Sequence, residues 1–125
     1  MLESVFKATA SGDLKGFIVW LPMLATDDAA SAARQGAQFR DPRVTDAWDP
    51  ERETGLLFAR RLSLQGIAWD VYLVYGRGVR WEGSDPPMPS FWMHQLRVQT
   101  GADPKLHLDP DRLTREVTTL IEKKG

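Results

Sequence analysis

The sequence predicts a single α/β domain, built on a central mixed sheet of about four strands with helices on both faces. Three observations lead to this prediction. Strand and helix patterns alternate through the first half of the chain, which favours parallel strands joined by right-handed crossovers. The second half contains an apolar strand, a glycine turn and an amphipathic helix. The length of 125 residues suits one domain, which we assign to residues 1–125.

Four segments have strand patterns, in which apolar, β-branched or aromatic residues lie between turn signals. The predicted strands are residues 17–21, 44–48, 69–75 and 79–82. The first strand is a continuous apolar run, which is typical of a strand covered on both faces. A turn at Gly76-Arg77-Gly78 follows the third strand, so we expect an antiparallel hairpin in which Leu73 faces Trp81.

Helical patterns precede, separate and follow these strands. The predicted helices are residues 1–10, about 28–39, about 50–64 and 91–96, and a last helix that begins at Asp109. The second helix begins at one of three capping residues, Thr26, Asp27 or Asp28, and the third has the strong start signal Asp49-Pro50-Glu51. Four residues of the last helix form an apolar stripe that docks on the core: Leu113, Val117, Leu120 and Ile121.

The composition is that of a folded soluble protein, with 42% hydrophobic residues, 26% charged residues and a net charge of −1. A nearly neutral chain has little attraction for polyanions, so we expect no nucleic-acid partner. The longest apolar run, residues 17–25, is too short to span a bilayer, and no secretory leader is visible. We therefore expect a cytoplasmic protein with no membrane span.

Two parts of the chain, residues 16–82 and 109–123, resemble the thioredoxin-like fold. The resemblance depends on three places: Phe17 to Trp20, similar to the first core strand; Gly66-Ile67-Ala68, similar to the Gly-Ile-Pro before the third strand; and Asp109 onward, similar to the closing helix. It implies a thioredoxin-like three-layer α/β/α sandwich, in which strand 17–21 lies between strands 44–48 and 69–75. Residues at about 83–108 would be an insertion before the last helix.

The chain departs from redox-active members of this family at two positions. Those members carry Cys-x-x-Cys where the first strand meets its helix, whereas residues 21–28 here contain no cysteine, and the whole chain has none. Ala68 stands where the family has a cis-proline. The resemblance therefore implies a non-redox member, without thiol–disulfide chemistry, and we expect the Ile67–Ala68 peptide bond to be trans.

The candidate binding site lies at the carboxyl end of the first strand, where open α/β sheets bind their ligands. We expect seven residues to form it: Met23, Thr26, Asp27, Ala68, Trp69, Trp92 and His94. Trp69 and Trp92 would line one groove with His94 at its rim, because residues two apart on a helical turn point in different directions. A structural role stays open for these residues as well. Thr26 and Asp27 would cap a helix, Trp92 would fill the core, and His94 would be a hydrogen-bonded structural histidine.

These residues favour a non-redox binding or protein-interaction module that recognises an apolar or peptide ligand or a partner protein. An alternative is a small cysteine-independent enzyme in which His94 and an aspartate such as Asp70 act as acid and base. A third interpretation is a structural subunit that forms a homo-oligomer through its aromatic surface. The two histidines, His94 and His107, lack the spacing of metal ligands, and no cofactor motif is present, so we expect neither metal nor cofactor.

Overall fold

The computed structural model describes residues 2–23, 28–38 and 41–122. This part of the chain is a mixed α/β structure with four helices and two small sheets of two strands each, which confirms the predicted class. The helices are α1 (Leu2–Ala8), α2 (Ala29–Gln38), α3 (Glu53–Arg61) and α4 (Pro110–Glu122). The strands are β1 (Gly16–Trp20), β2 (Val44–Trp48), β3 (Val71–Val74) and β4 (Phe91–His94).

The first sheet is the parallel pair β1–β2, with α2 as the crossover between its strands. The pairing begins with Gly16 beside Val44 and ends with Trp20 beside Trp48. Both strands lie within one residue of their predicted positions, and the parallel arrangement follows from the alternation of strand, helix and strand.

The second sheet is the antiparallel pair β3–β4, in which Leu73 lies beside Trp92. This sheet corrects two predictions. Residues 91–96 were expected to form a helix, yet Phe91–His94 is a strand, and Leu73 faces Trp92 instead of Trp81. Four consecutive large residues fit a strand with both faces covered as well as a short buried helix, so the pattern alone did not separate the two.

Residues 79–82 do not form the predicted strand, because the connection between β3 and β4 packs against α3 instead. Trp81 meets the ring of Phe58 edge to face, with 5.6 Å between the ring centroids. Further along, the Arg61 Nε–H donates to the carbonyl oxygen of Pro86 at 2.7 Å, and the Tyr75 hydroxyl donates to that of Pro87 at 2.7 Å. These contacts hold the connection away from the hairpin geometry that Gly76-Arg77-Gly78 favours.

The predicted four-stranded sheet is not present in the residues that the structure describes. There β1 is hydrogen-bonded to β2 alone and β3 to β4 alone, so strand 17–21 does not lie between 44–48 and 69–75. The chain before β3 is held elsewhere: the Ala68 N–H donates to the Gly55 carbonyl of α3, and the left-handed backbone of Asp70 redirects the chain immediately before β3.

The hydrophobic core joins α1, β4 and α4. Its buried centre is formed by Val5, Met93, Leu113 and Val117. Partly buried side chains surround this centre: Leu14, Tyr72, Val74, Phe91, Leu108 and Ile121. The predicted apolar stripe of the last helix is therefore docked as expected at Leu113 and Val117, while Leu120 and Ile121 are only half-buried.

Arg43, at the start of β2, binds the carboxyl end of α1. Its guanidinium donates to the carbonyl oxygens of Phe6, Thr9 and Ser11 and also forms an ion pair with Asp41, with 2.7 Å between Nη2 and Oδ2. Helix ends leave several carbonyl groups without partners, and a cation also complements the helix dipole there. Arg43 therefore fixes α1 against sheet β1–β2.

Candidate protein-interaction surface

The end of β1 contacts α3 and the segment before β3, as the sequence-predicted site requires. A Cβ atom added to Gly55 would collide with Ile67 and would lie 3.2 Å from Leu21 Cδ1, so only glycine allows this close packing. The Ala68 N–H donates to the Gly55 carbonyl at 2.9 Å, and the Ile67–Ala68 peptide is trans, as predicted.

The residues of the predicted site are not equally placed to meet a ligand. Met23 is half-buried just beyond β1, and Ala68 is only 4% exposed, which leaves it little surface to offer. Thr26 and Asp27 lie outside the described residues. Trp69 is exposed at the surface before β3.

The structure groups Trp92 with His94 and not with Trp69. The ring centroids of Trp92 and His94 are 5.5 Å apart, and no ring contact joins the two tryptophans, both of which are described. Trp92 pairs with Leu73, inside β3, whereas Trp69 precedes this strand and is separated from it by Asp70, whose backbone is left-handed. The expected groove with Trp69 and Trp92 as its walls is therefore not supported by a direct contact.

His94 is a buried structural histidine, so its predicted place at a groove rim is wrong. It is 1% exposed, Nδ1 accepts the Leu96 N–H at 3.0 Å, and Nε2 lies 2.8 Å from the Asp103 carbonyl oxygen. These partners place the proton on Nε2 and occupy both nitrogens. The prediction failed because residues two apart share a face of a strand, whereas they diverge on a helix.

Asp70, the suggested acid–base partner of His94, bonds elsewhere. Its Oδ1 accepts the Tyr72 hydroxyl at 3.1 Å, and the Gln95 side chain lies 3.3 Å from the same hydroxyl. Burial, followed by the negative charge of Asp70 and this hydrogen bond, raises the pKa of Tyr72 to about 12. Tyr72 is thus held as a neutral phenol that donates a hydrogen bond, and no His–Asp pair is formed at this place.

The largest apolar exposure in a strand occurs on sheet β1–β2, which sequence reasoning did not predict. Phe17 is 78% exposed and Val19 is 43% exposed. They lie beside Thr45 and Ala47 of β2, which are also exposed, and these four residues are the outer face of sheet β1–β2. The outer face carries no charge. The expectation that strand 17–21 is covered on both faces is therefore wrong for this side.

The main chain of β1 is also open on the side away from β2. The Gly16 N–H donates to the Arg43 carbonyl, and the Trp20 carbonyl accepts from the Asp49 N–H, so both residues point their peptide groups toward β2. Because successive residues alternate, Phe17 and Val19 point theirs outward, and no strand of the described chain pairs with them. We call this side the free edge of β1.

Other kinds of site have less support among the described residues. The described residues contain no group of three or more acidic or histidine side chains that could hold a metal ion. None of the described helices has the length and apolar character needed to span a membrane. Comparison with protein-family models, with curated proteins and with solved structures finds no match to this chain.

Proposed function

We propose that the protein is a non-redox protein-interaction module, which binds an extended apolar segment by adding it as a strand to the free edge of β1. One observation carries the proposal: Phe17 and Val19 present exposed apolar side chains together with outward main-chain groups that no described strand pairs. In strand addition, main-chain hydrogen bonds supply affinity and alternate side chains supply specificity.

The resemblance to the thioredoxin-like fold supports the same edge. In that arrangement a third strand would lie beside strand 17–21, on the side away from 44–48. In our proposal the bound segment takes this position, next to the parallel pair β1–β2 that the chain forms itself.

The outer face indicates the chemistry of the ligand. A segment paired with β1 places every second side chain beside Phe17 and Val19, where neighbouring strands contact each other directly. Since no charged side chain belongs to the outer face, β-branched or aromatic residues suit these positions best. The alternative acid–base enzyme gains no support, because both His94 nitrogens are already hydrogen-bonded.

The proposal can be tested with a fluorescein-labelled hexapeptide of alternating valine and threonine, whose binding is followed by fluorescence anisotropy. We expect Phe17→Lys to weaken binding by about tenfold or more, which corresponds to about 1.4 kcal/mol. Val98→Lys is the matched control, because Val98 is 74% exposed and lies outside both sheets.

A second control addresses the main chain. The same hexapeptide, N-methylated at the residues whose N–H groups would face β1, should also bind about tenfold more weakly, because it cannot donate the ladder hydrogen bonds. Equal binding of the methylated and unmethylated peptides, or of Phe17→Lys and the parent protein, would contradict strand addition.

A further inference from the structure

We infer that the strand added at the free edge of β1 is β1 of a second copy of this chain. This inference depends on the proposed function, since it names the partner of the same edge. The two strands would run antiparallel about a two-fold axis through Ile18, and the two pairs β1–β2 would become one four-stranded sheet. A two-fold contact of this kind closes on itself and gives a dimer.

The hydrogen-bonding pattern of β1 suits this two-fold pairing. With Ile18 facing itself, Phe17 lies opposite Val19 of the second copy, and Val19 lies opposite Phe17 of the second copy. Antiparallel strands alternate residues that exchange two hydrogen bonds with residues that exchange none. Phe17 and Val19 are the two residues that point their peptide groups outward, so both pairs are hydrogen-bonded, and Ile18 takes the non-bonded position.

The side chains of β1 are equally self-complementary. Phe17 opposite Val19 is an aromatic and β-branched pair on the outer face, a combination that stabilises antiparallel sheets. In the same register, exposed Lys15 lies opposite Leu21, so no two like charges face each other. The pairing therefore adds apolar contact without electrostatic repulsion.

The edge itself shows why the partner is another copy. Natural sheets protect exposed edges with charged residues, prolines or bulges, because an unprotected edge strand can pair with the edge strand of another molecule. Gly16–Trp20 contains none of these residues and pairs regularly with β2. Two five-residue strands bury less area than the roughly 1,200–2,000 Å² of a standard interface, so we expect a weak dimer that depends on concentration.

Analytical ultracentrifugation over a concentration series tests the dimer. The parent protein should rise from 14.1 kDa toward about twice that mass. Phe17→Lys should stay at the monomer mass over the same range, and Val98→Lys should follow the parent. A parent protein that stays monomeric, or a Phe17→Lys variant that associates like the parent, would overturn the inference.

A single-cysteine variant tests the register, because the chain has no cysteine of its own. Paired Cα atoms at the non-bonded position lie about 4.5 Å apart, within the range of a disulfide, so Ile18→Cys should form a cross-linked dimer on mild oxidation. Thr45→Cys, one strand further from the axis, should remain uncross-linked. Equal cross-linking of the two variants would refute the register.

The two tests separate this inference from the proposed function. A parent protein that is monomeric at every concentration, yet binds the valine–threonine peptide in a way that Phe17→Lys abolishes, refutes the dimer and leaves the interaction module intact. A protein that neither dimerises nor binds the peptide refutes both. Peptide binding is therefore measured at the lowest protein concentration of the series.

Discussion

The two sheets of this molecule are equal in strand number and opposite in environment. Sheet β3–β4 lies against α1 and α4, and its residues Met93 and His94 are almost completely buried. The strand β1 of the other sheet also lacks charged residues, yet its Phe17 is the most exposed large hydrophobic residue of those described. The difference teaches that burial is decided by the elements that pack on a strand, not by the hydrophobicity of the strand.

The inner side of sheet β1–β2 explains why it holds together with one open face. Phe6 of α1 packs so closely on Gly16 that an added Cβ would lie 2.6 Å from the Phe6 ring, and Val44 lies on the same side. Arg43 then ties the end of α1 to the same sheet. Parallel sheets are usually covered on both faces, so an uncovered outer face is unusual enough to suggest a partner.

The largest expected effect comes from truncating one apolar side chain in each sheet. Met93→Ala should lower the free energy of unfolding by about 2–5 kcal/mol, because it removes buried contacts and leaves a cavity. Phe17→Ala removes a larger side chain but should change the stability by less than about 0.5 kcal/mol at low protein concentration. Urea denaturation measures both, and similar losses would mean that the two sheets are buried alike.

The second effect is a loss of stability on removing the buried imidazole of His94 in sheet β3–β4. His94→Leu should cost about 1–3 kcal/mol, because the buried N–H of Leu96 loses its acceptor. His107→Leu, at the exposed neighbouring histidine, should cost less than about 0.5 kcal/mol. Thermal unfolding of the two variants provides the measurement. A His94→Leu variant as stable as the parent would show that this hydrogen-bond network is not structural.

The smallest effect concerns acid stability at the junction of α1 and sheet β1–β2. Hydrogen bonds from Arg43 lower the pKa of Asp41 from 3.8 to about 2. Since the folded value is the lower one, the stabilisation is present above pH 3.8 and is lost as the pH falls through about 2. Asp41→Asn should therefore flatten the loss of stability between about pH 4 and pH 2, measured by urea denaturation.

Asp85→Asn serves as the control for the acid experiment. Asp85 also pairs with an arginine, Arg60, but at 3.8 Å between two exposed side chains. This variant should keep the pH dependence of the parent, because exposed ion pairs contribute little. If both variants flatten the dependence equally, the effect would come from the net charge and not from the contact with Arg43.

Local signals in the sequence were sufficient for the first half of the fold and for the last helix. The start predicted at Asp49-Pro50 is three residues early, because α3 begins at Glu53 after Arg52, whose backbone is left-handed; the Asp49 carboxylate nevertheless accepts from the N–H groups of Glu53 and Thr54 in its first turn. The strands β1 and β2 lie where β-branched and aromatic residues follow turn signals. These features depend on a few neighbouring residues, which is why a single sequence is enough to predict them.

Features that depend on distant contacts could not be predicted in this way. Arg43 reaches carbonyl groups more than thirty positions earlier in the chain, and no local pattern marks it. The strand β4 was mistaken for a helix, which in turn placed His94 at a surface instead of in the core. The exposure of Phe17 has no local signal either, because a buried strand and an unpartnered strand share the same apolar pattern.

The hydrophobic core cannot form until α4, near the end of the sequence, has been synthesised. Val5 packs with Leu113 and Val117, so a nascent chain has to wait for α4 before its first helix is buried. At 5–20 residues per second, Val5 stays without these partners for about ten seconds while the ribosome translates the intervening sequence. During that interval the apolar residues of α1 are exposed on the growing chain without their partners in α4.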